Sequence, residues 1–72
     1  MTLIPRENLL TAYSVYLQRL EFLKSEVTRT VNRGLQLGEA YEEETMAALD
    51  GIEEELVGVG ECIVLLNQLL QG

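Results

Sequence analysis

VNRGLQLGEA, residues 31–40, separates two long apolar repeats, and how it is read decides the fold. Upstream, apolar residues fall at Leu9, Tyr13, Tyr16, Leu20, Leu23 and Val27, with Thr30 extending the series, in alternating steps of four and three. Such steps keep one stripe of an α-helix facing a neighbour, whereas a strand would need a period of two. Downstream, Thr45, Leu49, Ile52, Leu56, Val59, Ile63, Leu66 and Leu70 repeat the pattern. Gly34 and Gly38 bracket a connection short enough to join antiparallel neighbours. The expected fold is therefore all-α: one domain over residues 1–72, an antiparallel, coiled-coil-like two-helix hairpin. Its first helix is expected over about 5–33, its turn over 34–38 and its second helix over about 39–70.

The ends carry their own signals. Pro5 suits a first helical turn, because its missing N–H would have no partner there. Gly34, following Arg33, has the form of a C-terminal cap. Glu39, Glu42, Glu43 and Glu44 then bring negative charge to the start of the next helix, where the macrodipole favours it. A turn centred near Gln36 sets the register: Leu9 faces Ile63, Tyr13 faces Val59, Tyr16 faces Leu56, Leu20 faces Ile52 and Leu23 faces Leu49. The same register brings Arg19 near Glu53, Arg29 near Glu43 and Arg33 near Glu39.

At 72 residues the chain buries too little surface to fold securely alone, and such chains usually rely on disulfides, a metal or other polypeptides. Cys62 is the one cysteine and there is no histidine, which leaves no internal disulfide and no ordinary zinc ligand set. A catalytic thiol would need a base beside it. The runs Glu42-Glu43-Glu44 and Glu53-Glu54-Glu55 point three ways around a helix and read as a solvated face, and Gly58-Val59-Gly60 lacks the strand and third glycine of a dinucleotide motif. No enzyme, cofactor or metal is expected.

The net charge of −7 disfavours nucleic acid and favours solubility or a basic partner. All five bases precede Gly34, and nine of the twelve acids follow it. Met1–Arg6 shows no secretory signal, and the apolar run Cys62–Leu66 is far short of the roughly 20 residues that cross a bilayer. A cytoplasmic chain without a membrane span is expected.

Association is the remaining support, and the second helix shows where it would act. One residue behind its main seam runs a second stripe, Ala48, Gly51, Glu55, Gly58, Cys62, Leu65 and Leu69, with Val57 and Val64 widening the apolar surface. Leu10 and Leu17 add to one flank of the first helix, and Ala12, Val15 and Phe22 to the other. Expected partner-binding residues are Ala48, Gly51, Val57, Gly58, Cys62, Val64, Leu65, Leu69, Leu10 and Leu17. A glycine inside a helix costs about 1 kcal/mol relative to alanine, so Gly51, Gly58 and Gly60 are either tolerated accidents or a local break near Val57-Gly58-Val59-Gly60, or, the favoured reading, they mark close approach by another helix along Gly51, Gly58 and Cys62. The partner is either a different protein or a second copy, two hairpins then forming a structural or regulatory four-helix bundle.

Several short features together resemble the E-type helical-hairpin co-chaperones of type III secretion needle subunits. They are Arg33-Gly34 at the end of the first helix, Tyr41 near the start of the second, the Ala48-Leu49-Asp50 step, and the small and aliphatic run from Val57-Gly58-Val59-Gly60 through Ile63, Leu66 and Leu69. The resemblance implies a cytosolic complex with a tetratricopeptide-like chaperone, the pair holding a needle subunit unpolymerised before export. It also implies that the second stripe of helix 2 makes the contacts. The acidity of that helix, and Glu55 within the stripe, depart from the family's pattern.

Overall fold

A computed structural model describes residues 4–72, so Met1–Leu3, the start of the stretch read for a signal sequence, lie outside the described residues. The chain is an all-α antiparallel hairpin. Helix α1 spans Arg6–Leu37, a single 3-10 turn spans Glu39–Tyr41, and helix α2 spans Glu42–Gln71. Pro5 stands just outside α1, with its carbonyl accepting the Asn8 and Leu9 N–H groups at 3.0 and 3.3 Å. The proline ring thus gives up no bond at the helix start.

The far end of α1 corrects the expected cap. Gly34 does not end the helix; α1 continues a further turn, and Gly38 closes it by donating its N–H to the Gly34 carbonyl at 3.0 Å. Gly38 has φ 86° and ψ −172°, a region open in practice to glycine alone. The expected outcome for Gly38→Ala is a loss of roughly 1–3 kcal/mol, seen as a lowered midpoint in a thermal melt followed by circular dichroism.

Gly34 has a different reason to be glycine. A Cβ built there would stand 2.5 Å from Thr45 Cγ2 and 2.8 Å from Thr45 Oγ1. The helices therefore touch at Gly34 and Thr45, which re-sets the register. Carrying the steps of four and three back from that contact pairs Thr30 with Leu49, Val27 with Ile52, Leu23 with Leu56, Leu20 with Val59, Tyr16 with Ile63, Tyr13 with Leu66 and Leu9 with Leu70. At the open end the Arg6 guanidinium donates to the Leu70 carbonyl at 3.0 Å. Both seams keep the residues expected of them, but they meet one heptad away from the expected register, because the turn is centred beyond Gly38.

The expected charge pairs change with it. Arg19 meets Glu55 instead of Glu53, Arg29 pairs with Glu26 on its own helix at 3.1 Å, and Arg33 has no ion pair among the described residues.

Packing between two helices alone buries little. Leu23, 3% exposed, and Val59, 8% exposed, are the buried hydrophobic residues among those described. The molecule measures 55 × 17 × 15 Å, and its radius of gyration of 16.5 Å compares with about 11 Å for a compact domain of this length. It leaves 5827 Å² of surface accessible, against about 4,500 Å² for a compact 8.1 kDa protein. The difference, on the order of 1,300 Å², exceeds the roughly 800 Å² that one partner gives to a standard interface. Among the described residues no helix is long and apolar enough to cross a membrane.

Candidate protein-docking faces

Because helical residues turn by about 100° each, the positions flanking an inward seam fall on opposite sides of the hairpin. Residues one position before a seam residue, such as Arg19 and Glu55, share one side, which we call the bridge face. Residues one position after a seam residue, such as Leu17 and Met46, share the other, the opposite face.

On the bridge face the Arg19 guanidinium spans the two helices. Its Nε donates to Glu55 Oε2 at 2.9 Å, and its carbon lies 5.0 Å from the centre of the Phe22 ring. Glu55 is here the partner of a cation on α1. Both side chains are about half exposed, so solvent screens the pair and it contributes roughly 0.2–1 kcal/mol. A double-mutant cycle on Arg19→Ala and Glu55→Ala should return a coupling within that range, falling further as salt is added.

Around this bridge lie Ala48, Gly51, Gly58, Leu65 and Leu69, all exposed, and Cys62, half-buried. Nothing stands within 4 Å of a Cβ built at Gly51, Gly58 or Gly60. No contact inside the chain requires these glycines. Cys62 turns partly inward, beside Tyr16. Hydrogen bonding to the Cys62 sulfur, then its charge, then desolvation raise the Tyr16 hydroxyl above its ordinary value of 10.0.

Leu10, Leu17, Val57 and Val64, expected to act with the second stripe, lie on the opposite face and are exposed. The ten expected residues are thus divided between two surfaces. The opposite face also holds three residues that the sequence reading passed over: Val31, Met46 and Leu35, the last 77% exposed. Leu10, Leu17 and Val31 recur at multiples of seven residues, with Lys24 filling the gap, and that repeat was the available signal.

Each face has a hollow beside the turn. On the bridge face it is about 500 Å³ and the more polar of the two, bordered by Arg29, Arg33, Tyr41 and Glu44. On the opposite face a trough of about 460 Å³ is walled by Val31, Leu35, Met46 and Leu49, with Glu39 and Glu42 at its lip. Among the described residues no three Cys, Asp or Glu side chains gather closely enough to hold a metal ion.

Comparison with protein-family models, with curated proteins and with solved structures finds no match to this chain.

Proposed function

We propose that this hairpin is a protein-binding module completed by a different polypeptide, in the manner of a co-chaperone. The observation that carries the reading is the mismatch between its length and its core. Two helices of 32 and 30 residues hold only Leu23 and Val59 buried among the described hydrophobic residues, while apolar side chains stand exposed on both flanks. Exposed apolar patches of this extent mark interaction surfaces in small proteins. Gly51 and Gly58 support the same reading, since each lowers helix stability and neither relieves a clash within the chain.

The resemblance to the hairpin co-chaperones of needle subunits supplies the specific form of the proposal. On that form the complex is cytoplasmic, with a tetratricopeptide-like chaperone and a needle subunit that the pair keeps unpolymerised before export. A self-paired four-helix bundle is disfavoured by charge, since it would double the −7 of one chain in one particle.

The test is expression of the chain alone and with its genomic neighbours, followed by sedimentation. A stoichiometric heterocomplex is expected. A stable dimer that forms without any other protein would replace this reading with the homodimer.

A further inference from the structure

The two faces differ in charge as well as in shape. Arg19 bridges to Glu55 on one side, and Arg29 and Arg33 border the hollow on that same side. The opposite face has Lys24 as its cation, and Lys24 already lies 3.7 Å from Glu21. Glu39 and Glu42 at the trough, and Asp50 and Glu53 about two and three turns beyond Glu42 along α2, take no ion pair among the described residues. An apolar trough is thus lined on one side by unanswered negative charge.

The geometry points to a basic amphipathic helix of a partner protein as the occupant of this trough. This inference rests on the proposed protein-binding function and adds the chemistry of the partner and the place where it sits. Val31 to Leu35 on α1 and Met46 to Leu49 on α2 each cover about one helical turn, which matches a helix offering apolar side chains at i and i+4. Lysine or arginine beside that stripe would reach Glu39 and Glu42 at one end and Asp50 and Glu53 at the other. Leu35, at 77% exposed, is the side chain with most surface to lose on docking. A second copy of the hairpin is a poorer occupant, because its acidic α2 would meet the same acids and three of the five bases of its α1 are already paired, Arg19 to Glu55, Lys24 to Glu21 and Arg29 to Glu26. Dipole compensation accounts for acids in the first turn of α2 but not for Asp50 and Glu53, which lie beyond it.

The test is selection from a displayed library of helical peptides of about 15 residues against the full-length chain. The selected peptides should carry an apolar stripe flanked by Lys or Arg. They should bind Leu35→Glu and Met46→Glu at least about tenfold more weakly, and their affinity should fall as salt rises. Glu39→Gln combined with Glu42→Gln should weaken them severalfold, and this pair keeps the test open if a trough variant fails to fold. Glu54→Gln, an exposed acid on the outer side of α2 away from the trough, should leave peptide binding unchanged. Selection of acidic or uncharged peptides, undiminished binding to Leu35→Glu, or no selection at all would overturn the inference. The proposed function fails separately: a native heterocomplex that is lost on Gly58→Leu but indifferent to every trough variant would retain the function and remove the trough from it.

Discussion

Gly58→Leu is expected to stabilise the hairpin by itself and to break its assembly with a partner. A Cβ at position 58 meets nothing within 4 Å, so the larger side chain fits without strain. Replacing glycine by leucine inside a helix gains about 0.8–1 kcal/mol, and the isolated chain should melt a few degrees higher. In the assembly the same side chain stands where we place another helix. Overpacking a close contact costs typically 1–3 kcal/mol, so affinity should drop by roughly ten- to a hundredfold. Opposite signs in the two measurements are what separate an interface glycine from an accidental one. A variant that is more stable alone and binds as well as the original would show that Gly58 faces only solvent.

The second large effect concerns the register and depends on its neighbour for its sign. With Thr45 present, Gly34→Ala forces a methyl to within 2.5 Å of Thr45 Cγ2, and the hairpin must splay near its turn. The clash costs about 1–3 kcal/mol and outweighs the gain of about 1 kcal/mol from helix propensity, leaving a net loss. In a Thr45→Ala background the two closest atoms are gone, and the remaining one is the residue-45 Cβ at 3.2 Å. There the same change should be neutral or stabilising by up to about 1 kcal/mol. Chemical denaturation of the four proteins of the cycle measures both signs. If Gly34 lay in the turn, facing Gly38, the identity of residue 45 would not matter.

That cycle bears on what could be read before the structure. The two seams were fully legible: each residue in the steps of four and three, from Leu9 to Thr30 and from Thr45 to Leu70, is at least partly shielded, and Leu23 and Val59 are closed off. The register was not, for a physical reason. A heptad pattern slid by seven residues presents the same apolar face, so the seams could not choose between a turn at Gln36 and one beyond Gly38. The choice falls to Gly34, small enough to lie against Thr45, and to Gly38, free to adopt φ 86°. Two glycines four residues apart offer either ending, and helix continuation through Gly34 adds a backbone turn before the reversal.

The Arg19 pairing shows a second limit. Arg19 and Glu53 flank their seams on opposite sides, so no antiparallel register brings them across to one another, while Glu55 lies on the same side as Arg19. The layout of the exposed faces was half legible. Reading one stripe of α2 found Gly51, Gly58, Leu65 and Leu69, but it merged them with Leu10, Leu17, Val57 and Val64 across the hairpin and passed over Leu35 and Met46. Leu35 belonged to the expected turn, where an exposed leucine attracts no notice; once α1 extends to Leu37, it becomes the wall of a trough.

As proposed, this hairpin is one component of a larger helical assembly. Native mass spectrometry of the chain, taken gently from the cells that make it, is the decisive measurement. The expected particle holds the 8.1 kDa chain in fixed ratio with a different polypeptide. A lone 8.1 kDa species that unfolds cooperatively and captures nothing would overturn the proposal.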